Sequence, residues 1–333
     1  MSASAPSQRQ TLRPQEQRNV SLVLIGLLPL AWLAREFAAH PAVAIAALLL
    51  IGAGIVHGVF DLVMLKRGFD PTLADLADVR GERTQPRPQH PGLRQLGTVA
   101  RRIGPAAAYL AVFGLMWLLW RMLPAPALIT FLALSIWHFA QSDSIWRGRL
   151  SRYAQWAWRG VLPLVAPCVA WPAEVGALFA QLAQNRELAE LLVAIFAHPV
   201  TVTLVLIAIG IDAVGAGARR AFAALLEAGA IAAWLLIAPP LLGFAVYFTF
   251  VHSLRHLHQL GMPRLLALSR QRWLAYGVLL VATIALTWGI RADFGAGLGQ
   301  LYATHAWIFI VLSCFAVPHA LLVDRYLRRS NAD

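Results

Sequence analysis

Residues 241–260 read LLGFAVYFTFVHSLRHLHQL, an apolar run long enough to cross a bilayer. Within it, His252 and His256 lie four residues apart and therefore on one face of a helix, a spacing that lets two imidazoles bind one metal ion. Ionisable side chains are costly in the hydrocarbon core of a membrane and are normally retained there for function. This stretch predicts a membrane helix that contributes part of a metal site.

The composition of the chain also indicates a membrane protein. Of its 333 residues, 59% are hydrophobic and 13% are charged, whereas soluble domains average about 45–50% and about 25%. The net charge of +12 would suggest nucleic-acid binding in a soluble protein, but in a multi-span protein such an excess lies in cytoplasmic loops and sets the orientation. We expect a multi-pass protein of the bacterial inner membrane, surrounded by lipid and without a nucleic-acid partner.

Apolar runs of about 20 residues divide the chain into about ten predicted spans of an all-α, polytopic integral membrane bundle. Prolines interrupt one of these spans, where we expect kinks, and Glu187 to Ala197 is a candidate short interfacial helix. The predicted spans are 20–38, 42–65, 99–121, 126–146, 157–182, 199–217, 221–239, 240–260, 272–291 and 302–325. Residues 20–325 form one predicted transmembrane domain with a cytoplasmic loop at 67–97, between cytoplasmic tails at 1–19 and 326–333.

The distribution of positive charge supports this division. If the N-terminus is cytoplasmic, Lys and Arg concentrate in the inner segments, Arg159 among them, and are sparse in the outer ones, as the positive-inside rule requires. This count assigns every Lys and Arg to a loop or to the end of a span except Arg255, which is left inside a span. Both termini are therefore predicted to face the cytoplasm.

The histidines of three spans share a common depth. Counting residues to the nearest inner-face cation places His57, His138 and His256 at one level, with His252 one turn above them. Independent core histidines have no reason to agree in depth, so we predict that these four imidazoles converge on one ion. The alternative is that each is only a hydrogen-bonded contact between helices. His319 lies near the same level and is predicted to be either a fifth imidazole or a supporting partner.

Two carboxylates accompany these histidines. Asp61 follows His57 by four residues and Asp143 follows His138 by five, so each lies about one turn toward the cytoplasm. A metal-bound imidazole usually donates its other N–H to a carboxylate or carbonyl, and we predict this supporting role for both aspartates. Capping of helix ends is the alternative.

Neutral imidazole suits zinc, copper, iron or nickel, so the ligand type alone does not select the metal. A site built from histidine without thiolate, within lipid, favours a reactive centre for an apolar substrate over a structural metal. Aromatic side chains near the histidines are candidates to line a channel for a long, flat hydrocarbon, with ordinary packing as the alternative. They are Phe60, Trp137, Phe139, Tyr247 and Phe248.

Four sequence motifs point to a known family. The segments VHGVFD (56–61), SIWHFAQSD (135–143) and HSLRH (252–256) resemble the histidine motifs of the Brp/Blh family of membrane β-carotene 15,15′-dioxygenases, and VPHALL (317–322) resembles its C-terminal signature. The resemblance implies a non-haem ferrous iron held by four histidines and cleavage of the central double bond of β-carotene by O₂ to give retinal. It maps the ligands onto His57, His138, His252 and His256.

Other functional classes remain open at this point. Paired axial histidines on facing helices would suit a haem-binding membrane protein. Membrane desaturases and hydroxylases also use histidine and iron, but they cluster several histidine boxes where this chain has one HxxxH. A carotenoid-binding protein or a transporter without turnover is a further alternative.

Overall fold

The computed structural model describes residues 8–55, 91–144, 149–259 and 306–330, and the regular structure of these residues is entirely helical. The all-α prediction is therefore confirmed. In chain order the elements are α1 (Gln8–Glu36), α2 (Pro41–Ile55), α3 (Pro91–Met122), α4 (Pro124–Ser142), α5 (Arg149–Ala170), α6 (Pro172–Ala183), α7 (Arg186–Ala197), α8 (Pro199–Ala216), α9 (Ala218–Ile237), α10 (Pro240–Val246), a π-helical segment (Tyr247–Ser253), α11 (Leu254–Gln259) and α12 (Ala306–Ser330).

Among the described residues, five helical stretches are long and apolar enough to cross a membrane. They are Gln17–Glu36, Pro124–Ser142, Pro199–Ala216, Arg220–Ile237 and Ala306–Asp324, and they match five predicted spans. Shorter apolar stretches occupy Pro41–Gly52 and Ala107–Met122. The predicted span at 272–291 lies outside the described residues, so the count of ten stays a prediction.

The surface of these helices suits contact with lipid. Large apolar side chains stand exposed along them instead of being buried, which a protein in water would rarely allow over so many turns. Examples from α1, α2, α3, α8 and α9 are Trp32, Leu49, Leu110, Leu204, Leu206 and Phe222. The chain is a membrane protein with an apolar outer face.

The predicted span 157–182 differs from the observed structure. Its helix α5 begins earlier, at Arg149, and ends at Ala170, and α6 then leaves at a bend of 115°. Pro163 and Pro167 lie inside α5 without ending it. Pro172 instead begins α6, because its fixed φ and missing N–H suit the first turn of a helix.

Two glycines let helices approach closely near the centre of the bundle. A Cβ at Gly160 in α5 would lie 2.5 Å from the backbone oxygen of Ile136 in α4, and one at Gly54 in α2 would lie 2.6 Å from the ring of Phe248 in the π segment. The contact with α2 is reinforced by Thr249, whose hydroxyl donates to the backbone oxygen of Leu50 at 2.6 Å. These approaches bring α5 against α4, which carries His138, and α2 against the π segment, which carries His252.

The π segment interrupts the predicted regular helix at 240–260. Its i→i+5 pattern replaces the α-helical one from Tyr247 to Ser253, and the Ser253 hydroxyl donates to the backbone oxygen of Phe248, five residues earlier, at 2.7 Å. Short π-helical turns of this kind occur frequently at functional sites. His252 lies in this segment, and His256 lies in α11, which continues from it.

Candidate metal centre

Four histidines from three parts of the chain meet in the interior. His138 lies in α4, His252 in the π segment, His256 in α11 and His319 in α12, and each is at most 5% exposed. Their rings are neighbours: the centroid of His138 lies 5.0 Å from those of His252 and His319 and 6.4 Å from that of His256. His256 lies 6.3 Å from His252 and 5.1 Å from His319.

These spacings are compatible with ligation of one ion. An imidazole nitrogen bonds to an ion such as zinc at about 2.1 Å, and the ring centre lies roughly 1.1 Å beyond it, so the centres of two rings on one ion lie at most about 6.5 Å apart. All five ring separations given above meet this limit. Neutral imidazole is also a good donor for iron. The residues present therefore fit such a centre in chemistry and in the separation of their rings by pairs, but the rings are not directed at one point.

The ring nitrogens themselves are not arranged around a point. Within the described ranges, no group of three or more His, Cys, Asp or Glu side chains has the arrangement of a metal site. His57, the fourth predicted ligand, lies outside the described residues, as do Asp61 and Phe60. The ligand set of His57, His138, His252 and His256 thus stays a prediction, of which the structure brings three members together.

The carboxylate of Asp143 lies beside His252 and not beside His138, which is nearer to it in sequence. It is the C-cap of α4, and its side chain is 1% exposed. One carboxylate oxygen lies 3.0 Å from Nδ1 of His252, and the other accepts a hydrogen bond from the hydroxyl of Tyr247 at 2.6 Å. Nδ1 of His138 instead lies 3.3 Å from the hydroxyl of Ser142. Asp143 therefore combines the two roles considered for it, at a helix end and beside an imidazole.

Two of the predicted aromatic residues pack directly against His252. Phe139 is edge-on to His252 at 4.8 Å and to Tyr247 at 5.5 Å, and Phe248 stacks on His252 at 5.7 Å. Trp137 is half-buried in α4. Among the described residues, the space beside Asp143, Arg159 and Tyr247 is too narrow to admit a water molecule, so it is not a pocket of the size that ligands occupy. Lining of a substrate channel by these rings stays a prediction.

A buried network of charged side chains adjoins the histidines. Glu227 in α9 is fully buried, and its two carboxylate oxygens accept hydrogen bonds from the two terminal nitrogens of Arg159 at 3.0 and 2.8 Å. Arg255 in α11 also pairs with Glu227 and donates to the backbone oxygen of Asp143 at 3.1 Å. Gln17 in α1 donates to the same carboxylate at 2.9 Å.

The family model described as β-carotene 15,15′-dioxygenase matches residues 92–326. This match covers more than half of the chain. The protein belongs to the β-carotene 15,15′-dioxygenase family. No curated protein and no solved structure matches the chain.

The match confirms the family resemblance seen in the motifs. It contains the second and third histidine motifs and the C-terminal VPHALL segment, and it begins after the first motif, VHGVFD (56–61). Every histidine of the observed cluster lies within it, as do Asp143 and Glu227. The neighbouring imidazoles therefore lie within the part of the chain that matches the family.

Sequence reasoning missed most of the charged network of this dioxygenase-family chain. Arg159 was expected in a cytoplasmic segment, but it is 2% exposed and lies inside α5. Its partner Glu227 was not singled out, although one acidic residue in an otherwise apolar span is a signal for a functional or paired group. Arg255 carried the same signal, since the charge count left it inside a predicted span and not at a span end.

Proposed function

We propose that this protein is a non-haem iron oxygenase of the bacterial inner membrane that cleaves the central 15,15′ double bond of β-carotene with O₂ to give two molecules of retinal. The observation that carries the proposal is the convergence of His138, His252 and His256 within the region that matches the dioxygenase family. A multi-pass bundle with both termini in the cytoplasm is part of the proposal.

In this proposal His57, His138, His252 and His256 hold ferrous iron, and His319 supports them. When bound, iron supplies the activation of O₂ that the cleavage of a carbon–carbon double bond requires. Because the imidazole donors are neutral, they leave the positive charge of the ion largely uncompensated. This favours electrophilic reaction of the oxygen with an electron-rich polyene.

The role of Asp143 follows from its contacts. A carboxylate that accepts the Nδ1–H of His252 fixes the ring tautomer and leaves Nε2 with the lone pair that a metal needs. The hydroxyl of Ser142 is placed to do the same for His138. These contacts hold two rings from different helices in the form suited to ligation.

The surroundings of the rings suit an apolar substrate. Phe139 and Phe248 cover faces and edges of His252 and keep water away from it. β-Carotene dissolves in lipid, so a substrate arriving from the bilayer meets apolar side chains before it meets the imidazoles. Trp137, Phe60 and Tyr247 complete the proposed substrate-binding set.

The proposal is tested by expression in a bacterium that accumulates β-carotene. The wild-type chain is expected to bleach the orange colour, with retinal appearing in extracts analysed by chromatography. His252→Ala, present in the membrane at the same level, is expected to leave the colour unchanged. Orange cells without retinal from the wild-type chain would contradict the oxygenase proposal, and carotenoid that co-purifies unchanged would indicate a binding protein.

Replacing Tyr247 with phenylalanine separates two roles for this side chain. The change removes the hydrogen bond to Asp143 and keeps the ring. If the hydroxyl serves Asp143, kcat for retinal formation is expected to fall by about 10-fold with KM for β-carotene unchanged. A raised KM with unchanged kcat would instead show that the hydroxyl contacts the substrate.

A further inference from the structure

Glu227 joins three helices at one buried carboxylate. It lies in α9 and receives hydrogen bonds from Arg159 in α5, Arg255 in α11 and Gln17 in α1. Its exposure is 0%, and the two arginines are exposed by 2% and 1%. Each charged group is thus removed from solvent and held by the others.

Hydrogen bonds through Arg255 and Asp143 connect this carboxylate to His252. Arg255 pairs with Glu227 through one terminal nitrogen and donates from the other to the backbone oxygen of Asp143 at 3.1 Å. The Asp143 side chain lies 3.0 Å from Nδ1 of His252. Glu227, Arg255, Asp143 and His252 therefore form a continuous path from α9 to the proposed ligand.

Asp143 links two of the helical stretches that carry the clustered histidines. It ends α4, which carries His138, and its three partners all come from one stretch of the other helix: Tyr247, His252 and Arg255. The planar guanidinium of Arg255 has a fixed direction once Glu227 holds it. A rotation of that guanidinium would break its hydrogen bond to the Asp143 backbone oxygen and remove one restraint on the residue whose carboxylate lies beside His252.

The charges of the network balance, with two guanidiniums and two carboxylates. Buried ion pairs are nevertheless weak contributors to stability, because desolvation of the charges offsets much of their attraction, and apolar replacements of similar volume are often tolerated. A role other than stability accounts better for a four-residue charged network placed beside the histidines.

We propose that Glu227 is a positioning residue of the metal centre: by holding Arg255 it fixes the carboxylate of Asp143 and thereby the orientation of the His252 ring. This inference rests on the proposed function, since it assumes that His252 binds the metal. Glu227 touches neither the substrate nor the metal in this assignment and acts only through Arg255 and Asp143.

The test measures the affinity of the metal-free, full-length protein in detergent for Co²⁺. Binding is detected through the visible absorption bands of the bound ion. Glu227→Gln is expected to bind Co²⁺ about 10-fold more weakly, as changes to groups behind metal ligands do, and to alter the shape of the absorption bands.

The matched control is Asp212→Asn. Asp212 is equally buried at 2% exposure and accepts hydrogen bonds from Ser151, Gln155 and Trp158. The Asp212→Asn protein should bind Co²⁺ with the same affinity as the wild type.

A second variant covers the case in which Glu227→Gln does not fold. Arg159→Met with Glu227→Leu removes one charge of each sign, so the remaining charges of Arg255 and Asp143 stay balanced. This double variant is expected to insert and fold, yet to show the same weakened Co²⁺ binding, because Arg255 has lost its carboxylate partner.

The outcomes separate the two proposals. A wild-type protein that takes up no Co²⁺ contradicts the metal centre itself. Wild-type binding combined with equally tight binding by either Glu227 variant overturns the positioning role and leaves the metal centre standing. Failure of both variants to accumulate would mark the network as purely structural and would also overturn the inference.

Discussion

Replacing His138 with alanine is expected to abolish retinal formation and remove iron from the purified protein, each by more than about 100-fold. Changes to groups behind metal ligands cost about 10–100-fold in affinity or activity, so loss of a proposed ligand should exceed that range. The ring of His138 lies 5.0 Å from those of both His252 and His319. Iron per chain by elemental analysis and retinal by chromatography are the measurements.

A histidine outside the cluster provides the control for His138. His198 is the N-cap of α8, where its Nδ1 accepts a hydrogen bond from the backbone N–H of Val200 at 3.2 Å. His198→Ala is expected to cost about 1 kcal/mol of stability and to leave iron content and activity unchanged. Full iron content in His138→Ala would refute ligation by this residue.

Replacing Arg159 alone with methionine is expected to destabilise the protein by about 3–5 kcal/mol, the range for breaking a buried ion pair from one side. Glu227 would lose its two-pronged partner, whose nitrogens lie 3.0 and 2.8 Å from the carboxylate oxygens. The remaining charge of Arg255 would then be shared between Glu227 and Asp143. A lower Tm in detergent and less folded protein in the membrane are the expected readouts.

An exposed arginine–glutamate ion pair provides the comparison for this loss of stability. Arg186 and Glu190 form an ion pair at 2.7 Å whose side chains are 87% and 63% exposed. Arg186→Met is expected to change the stability by less than about 0.5 kcal/mol, because solvent screens such pairs. If Arg159→Met and Arg186→Met had the same Tm, the buried network would contribute nothing to the fold.

The helical class could be predicted from the sequence, and so could the shared depth of the histidines, for a physical reason. Spans are set by hydrophobic length, and the depth of a residue in a span follows from a fixed rise per residue. His138, His252, His256 and His319 could therefore be placed at a common level before any packing was known. The described structure brings their rings together, with His319 as close to His138 as His252 is.

The lateral contacts of the site could not be predicted in the same way. Hydropathy gives the depth of a residue but not which helix faces which, so the partner of Asp143 was out of reach of sequence reasoning. Its neighbour proved to be His252, 109 positions along the chain. The pairing of Arg159 with Glu227 spans 68 positions and depends equally on the arrangement of α5 and α9.

The π segment was also beyond prediction from periodicity. The apolar run 241–260 is consistent with a regular helix, and the change to i→i+5 pairing over Tyr247–Ser253 leaves no signature in its hydrophobic pattern. It coincides with the close contact of Gly54 against Phe248 and Thr249. The packing of α2 on this face is a tertiary contact, which a hydrophobic pattern along the sequence does not record.

The atoms around the iron decide whether these histidines form a metal centre. X-ray absorption spectroscopy of protein that elemental analysis shows to hold about one iron per chain should reveal several imidazole nitrogens and no sulfur ligand around the iron, as expected from a site built of buried histidines. A sulfur scatterer, the spectrum of a haem, or iron surrounded only by solvent oxygen would contradict a centre formed by His138, His252 and His256.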